Sequence, residues 1–315
     1  MDVTHERVLV TGGAGYLGSV LVGHLLRRGY RVTVLDNLLY RQTSLLQYCE
    51  SPNFEFVRGD ARDEAALRPL VATHDALIPL AAIVGMPACA ADPIQARTVN
   101  FDAIATLNRL RCPSQRVVYP CTNSGYGTRT GDVHCTEETP LEPISLYGVT
   151  KVDAEKLLLD SPNTVTLRLA TVFGVSPRMR LDLLVNDFSY RATTDRVLLL
   201  YEKHFKRNFV HIDDVCEAFC HVLTRFDAMS GRPYNFGLDA ANVSKEELAL
   251  LIQRHVPELE IRDASVGTDP DKRNYIVSNE RMRTYGFEAH RTLDQGIREL
   301  LKAFRMLPIS PFHNA

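Results

Sequence analysis

The chain has 315 residues, 45% of them apolar and 23% charged, and a formal net charge of −2. This is an ordinary globular composition, long enough for one large domain or two closely joined ones. The near-neutral balance leaves no electrostatic footprint for nucleic acid or an anionic membrane, and no apolar run reaches the roughly 20 residues that a bilayer span requires.

The N-terminus "MDVTHERVLVTGG" enters a strand without a basic-then-apolar leader, which predicts a cytoplasmic protein. "RVLVTG" (7–12) and "RVTVLDN" (31–37) are β-branched runs separated by the helix-like "GSVLVGHLLRRG" (18–29). "FEFVRGD" (54–60), "ALIPLAA" (76–82), "RVVYPCT" (116–122) and "VTLRLATVFG" (165–174) continue the strand series. Between them lie the helix-like "DEAALRPLVA", "NFDAIATLNRL" and "LYGVTKVDAEKLLL". Strands alternating with helices imply right-handed crossovers and an α/β, doubly wound, mostly parallel sheet. After Gly174 the rhythm changes, and "SKEELALLIQRH" opens on a capping box; a smaller, discontinuous second α/β domain is expected there.

The seven cysteines are scattered singly apart from Cys216 and Cys220. Cys216, Cys220 and His221, with His211 nearby, match no common zinc spacing and sit in a segment of helical period. They read as buried thiols rather than ligands, and no metal is expected.

The first strand delivers "TGGAGYLGS", in which Gly12, Gly15 and Gly18 are spaced for a pyrophosphate-binding turn. Glycine permits the turn and lets backbone amides and the helix N-terminus approach the phosphates. Tyr16 and Leu17 lie within the same turn. Asp36 ends the second strand, where a carboxylate accepts bonds from the adenosine ribose hydroxyls and repels a 2′-phosphate, favouring NAD over NADP. Asn37 follows it, and Asp60 and Ala61 end the third strand, within reach of the adenine.

Further along, Tyr147 and Lys151 stand at i and i+4 on one helix face. An ammonium beside a phenol favours the phenolate and makes a usable general acid/base.

Together, T-G-G-x-G-x-x-G, Asp36, Gly59-Asp60, the "PLAA" run at 79–82, Thr-x-x-x-Tyr-Gly and Tyr147-x-x-x-Lys151 resemble the extended short-chain dehydrogenase/reductase family, nearest its NAD-dependent nucleotide-sugar epimerases and dehydratases. "LRLATVFG", "RNFVHIDDV" and the segment around "PDKRNYIVSNE" extend the resemblance over nearly the whole chain. It implies a Rossmann-like NAD-binding domain from residues 1–173 plus about 209–237. Residues of about 174–208 plus 238–315 would bind a nucleoside-diphosphate sugar. A homodimer is also implied.

Carried over by resemblance, Tyr147 removes a sugar hydroxyl proton, Lys151 bonds the nicotinamide ribose, and Thr122 bonds the same sugar oxygen. Leu80, Ala81 and Ala82 belong beside the cofactor, as does Asn100, which supports the lysine through backbone and water contacts. Asn123, Ser124, Thr171, Arg180, Asn186, Arg207 and Arg273 belong to the substrate; Arg207 and Arg273 meet the diphosphate, and Arg178, Arg180 and Asn186 lie where the substrate-binding loop begins.

Two positions depart from the family pattern. Pro79 replaces the usual histidine of His-Leu-Ala-Ala, and Thr171 stands where many relatives have asparagine. The residues after Thr122 bear on the reaction. A 4,6-dehydratase carries an acid pair there and a 3,5-epimerase a cysteine two residues before the Tyr-Gly tyrosine, whereas this chain has Asn123 and Ser124. A 4-epimerase acting by transient oxidation at C4 is the expected activity. A one-way 4-dehydrogenase or 4-ketoreductase on an unusual sugar, such as a heptose, is the alternative. A catalytically silent NAD-binding regulator is the third reading, and the intact Thr122, Tyr147 and Lys151 argue against it.

Overall fold

The computed structural model describes residues 6–129, 134–264 and 274–307. Seven strands form the main sheet: β1 (Arg7–Thr11), β2 (Arg31–Asp36), β3 (Phe54–Arg58), β4 (Ala76–Pro79), β5 (Arg116–Thr122), β6 (Thr164–Leu169) and β7 (Arg232–Phe236). Their order is β7-β6-β5-β4-β1-β2-β3, and every pairing is parallel. The order reverses between β1 and β4, so their carboxyl ends diverge and leave a crevice for a ligand.

The central strands are apolar on both faces because helices cover both. Helix Tyr16–Arg27 packs on one face against helix Ile212–Thr224, around Leu21, Val22, Val215 and Phe219. Leu67, Ile104, Leu107 and Leu158, from three other helices, cover the opposite face around Leu9, Val117 and Tyr119. Cys216 and Cys220 are buried thiols within helix Ile212–Thr224.

The single run expected over 165–174 is two strands. β6 stays in the main sheet, but Ala170 donates its amide to Phe236 O, and Thr171–Phe173 pairs instead with Lys206–His211. Lys206–His211 also pairs with Asn242–Ser244, giving a small three-stranded sheet. A second core gathers there from Phe173, Val185, Phe209, Leu248, Ile252, Ile297 and Leu300. The capping box at Ser244 and Glu247 is present. The segment after Ala82 carries two short helices, Met86–Ala91 and Pro93–Arg97, each with proline in its first turn. Among the described residues, no helix is long and apolar enough to cross a membrane.

Candidate active site

A cavity of about 530 Å³ opens at the carboxyl ends of the parallel strands. Gly12, Gly15, Tyr16, Leu17 and Gly18 line one side. At Gly12 the φ is +71°, and an added Cβ would lie 2.5 Å from Ala81 N, so only glycine fits the turn. Gly15 caps helix Tyr16–Arg27 without a side-chain bond to its amides, which leaves that terminus for an anion.

Asp36 is buried at the end of β2 and lines the cavity. Its Oδ2 accepts from Ala14 N at 3.0 Å and its Oδ1 from Leu38 N at 2.8 Å, while burial raises its carboxyl above the ordinary range. Asp60 is gripped by Arg62, whose Nε and Nη2 lie 2.9 and 2.7 Å away, and Asn37 adds a 3.3 Å bond. The Arg62 hydrogen bonds pull Asp60 down to about 2. Both Asp60 oxygens are therefore already engaged within the chain, and Arg62 itself lines the cavity beside Ala61. A cradle that only glycine fits, an uncapped helix terminus and a buried carboxylate suit a dinucleotide.

At the other end, helix Leu146–Leu159 starts from Ser145, which caps Gly148 N. Tyr147 is half-buried against Ile83, Cys89 and Ala96. Lys151 follows one turn on, 4% exposed, with its Nζ 4.0 Å from the centroid of the Tyr119 ring. Burial lowers its amine to about 8. Thr122 closes β5; its hydroxyl donates to Ser124 Oγ at 3.0 Å and accepts from Ser124 N at 3.1 Å. Thr122, Ser124, Tyr147 and Lys151 all line the cavity, as do Leu80, Ala81 and Ala82.

Asn123 and Asn100 do not line it. Asn123 is fully buried with no hydrogen-bond partner at either end of its amide. Asn100 accepts from Ile83 N at 2.8 Å and donates to Ile83 O and Thr150 Oγ1, at 3.0 and 3.3 Å. It acts at second hand, tying the loop after β4 to the helix turn that carries Lys151.

The chain after Gly174 crosses the cavity as a strap. Tyr16 donates its hydroxyl to Gly174 O at 2.8 Å, and Ser176 Oγ donates to Tyr16 O at 2.7 Å. Arg178 then stacks on Tyr40, 4.5 Å from its ring centroid, and Arg180 holds Asp182 by bonds of 3.1 and 2.5 Å. Thr171, Arg178, Arg180 and Arg207 line the cavity. Asn186 does not: it accepts from Gly174 N and donates to Tyr16 Oη and Arg180 O, so it holds the strap. Arg273 lies outside the described residues; Tyr275, two positions on, is a cavity residue.

Sequence reasoning passed over Tyr40, Arg62 and Tyr119. Arg62 alone carried a local signal, standing two residues after Asp60 in "GDARD". Tyr40 and Tyr119 matter only through partners more than 30 residues distant.

A family model described as the NAD dependent epimerase/dehydratase family matches residues 8–237. The low-salt glycan biosynthesis protein Agl12 of Haloferax volcanii is 29% identical over 92% of this chain and 96% of its own. UDP-glucuronic acid decarboxylase 4 of Arabidopsis thaliana is 28% identical over 95% of this chain and 68% of its own. Among solved structures, the UDP-glucose 4-epimerase of Thermus thermophilus in complex with NAD superposes with a TM-score of 0.81. It is 25% identical, over 95% of this chain and 99% of that one.

Proposed function

Because the chain belongs to the NAD-dependent epimerase/dehydratase family of extended short-chain dehydrogenase/reductase enzymes, we propose that it is a nucleotide-sugar 4-epimerase. The observation that carries this reading is the segment after Thr122. Thr122, Tyr147 and Lys151 share one end of the cavity, and Asn123 and Ser124 stand where a dehydratase needs acids. Among the described residues, the carboxylates lining the cavity are Asp36, Asp60, Asp182 and Asp187, and none is on the Cys121–Tyr126 segment.

NAD, bound at Gly12, Gly15 and Asp36, supplies the acceptor and donor of a hydride. Tyr147 takes the proton from the sugar C4 hydroxyl and later returns it. Lys151 favours the phenolate of Tyr147 while it carries its charge. The Thr122 and Ser124 hydroxyls, already bonded to each other, orient the reacting oxygen. Arg207, buried on the cavity wall, suits a diphosphate by its planar fork. Asp36 favours NAD by repelling a 2′-phosphate.

The test is incubation of purified protein with a panel of C4-epimeric nucleotide sugars without added reductant. Interconversion of two epimers supports the reading. Reduced cofactor that accumulates until an external oxidant is added makes the enzyme a one-way 4-dehydrogenase, and carbon dioxide released from UDP-glucuronic acid makes it a decarboxylase. Either result overturns the epimerase.

A further inference from the structure

Lys151 lines the cavity and must keep its charge although it is almost completely buried. Its ammonium has few groups to lean on. From its own helix, Tyr147 lies one turn before it and Glu155 one turn after; Glu155 is paired with Arg168 of β6 at 2.8 Å, and its charge favours the ammonium only from behind that pair. From β5 come Cys121 and Tyr119. The Cys121 thiol donates to Lys151 O at 3.6 Å, and burial pushes it well above its usual range, so it stays neutral. Tyr119 has no solvent exposure and presents its ring face to Lys151 Nζ at 4.0 Å. That is well within the ~6 Å over which a ring quadrupole attracts a cation, and the attraction grows where water is excluded.

We propose that Tyr119 is a positioning residue: its ring face holds the Lys151 ammonium in place and keeps it charged, at the depth where Lys151 meets Tyr147. Tyr119 is not a cavity residue, so it touches neither cofactor nor substrate and acts only through the lysine. The ring suits this task better than a carboxylate would. A carboxylate would form an ion pair and draw the amine's hydrogens to itself, whereas a ring stabilises the charge from one side and leaves N–H donors for the phenol and the ribose. The Tyr119 hydroxyl makes a separate, long bond of 3.5 Å to Lys151 O. Ring and hydroxyl can thus be tested apart. The inference rests on the assignment of Lys151 to the active site, and its test reads the lysine directly, without turnover.

The chain contains seven lysines, few enough for their side-chain resonances to be resolved in protein labelled with [ε-13C]lysine. The Lys151 signal is the one lost in Lys151→Met. Titrated with NAD saturating, it should show in the natural protein a midpoint below that of a free lysine, and this midpoint serves as the reference for the variants. Tyr119→Phe keeps the ring and should leave the midpoint unchanged. Tyr119→Leu removes the ring face and should lower it by about one pH unit. Should Tyr119→Leu fail to fold, Tyr119 replaced by phenylalanine bearing one, two and three fluorines keeps the shape while draining the ring face. The midpoint should then fall in steps. An unchanged midpoint across the fluorinated series overturns the proposal, as does a fall in Tyr119→Phe equal to that in Tyr119→Leu. A failure of the epimerase assay leaves this titration intact, so the two readings stand or fall separately.

Discussion

Glu155, on the helix that carries Tyr147 and Lys151, forms a buried ion pair with Arg168 of β6, whose Nε lies 2.8 and 3.2 Å from the two carboxylate oxygens. Their side chains are 1% and 7% exposed. Arg168 extends the network to Tyr126 Oη at 3.1 Å and Glu137 O at 3.0 Å, and so ties the helix to β6 and to the Tyr-Gly turn. Removing one partner strands the other charge, which typically costs about 3–5 kcal/mol, whereas a well-packed apolar pair is often neutral. Arg168→Met should therefore lose about that much stability in urea denaturation, and Glu155→Met/Arg168→Met should recover most of it. A double variant as unstable as the single one would mean that the network, not the stranded charge, carries the cost.

Lys151 gives the site its pH dependence. Its folded value near 8 lies below the ~10.4 of a free lysine. Between those values the unfolded chain binds more protons, so stability rises with pH across that window and the penalty is full below 8. Lys151→Met should then raise stability at pH 7 by on the order of 3 kcal/mol, a gain that fades toward pH 10. Turnover runs the other way: the natural enzyme should lose activity as pH climbs through 8 and the ammonium discharges. Denaturation curves at pH 7 and 10, beside a pH–rate profile, check both signs. A variant stabilised equally at the two pH values would show that burial of the charge is not the cause.

Gly12 and Gly231 separate two costs that are usually confounded. Both have positive φ, +71° and +80°, but a Cβ at Gly12 strikes the Ala81 backbone whereas one at Gly231 meets nothing within 4 Å. Left-handed backbone alone costs a non-glycine residue about 1–3 kcal/mol. Gly231→Ala should lose an amount at the low end of that range and retain NAD. Gly12→Ala should lose more than 3 kcal/mol or shift the turn, and purify with little NAD by the ratio of absorbance at 260 and 280 nm. Equal losses at the two positions would put the steric argument aside.

What was legible in the sequence was what is local. Gly12, Gly15 and Gly18 are spaced by the turn they make, and Tyr147 and Lys151 by one helical turn, so the glycine turn and the shared helix face of Tyr147 and Lys151 could be read from neighbours in the chain. Asn186 and Asn100 could not. Asn186 reaches Tyr16 across 170 positions, and Asn100 reaches Thr150 across 50. Asn186 was expected to meet substrate, but its amide is used within the chain; for Asn100 the resemblance implied support of the lysine, yet the partners Ile83 and Thr150 were not legible. The break at Ala170 was hidden because both halves of 165–174 are apolar. Only the change of partner, from the main sheet to Lys206–His211, distinguishes them. Arg168 was hidden for the same reason, as one cation in a buried run whose counter-charge sits on the preceding helix.

The strap makes a last prediction about the cofactor. Arg178 is buried, lines the cavity and stacks on Tyr40, and Tyr40 lies only four residues after Asp36. The stack therefore joins the segment after Gly174 to the loop that follows Asp36. Arg178 is a guanidinium crowded by Arg180, and burial together with that repulsion lowers its pKa, so the Tyr40 face offsets part of a real cost. A desolvated cation–π contact is worth about 0.5–2 kcal/mol, or roughly 2- to 30-fold in a dissociation constant. Arg178→Ala should weaken NAD binding by that factor in calorimetric titration of cofactor-stripped protein. Tyr40→Ala should weaken it similarly, and the double variant by little more than either alone, because the two side chains act as one contact. Fully additive losses would instead mean that each residue meets the cofactor on its own account and that the strap is closed by the Tyr16, Ser176 and Asn186 bonds without them.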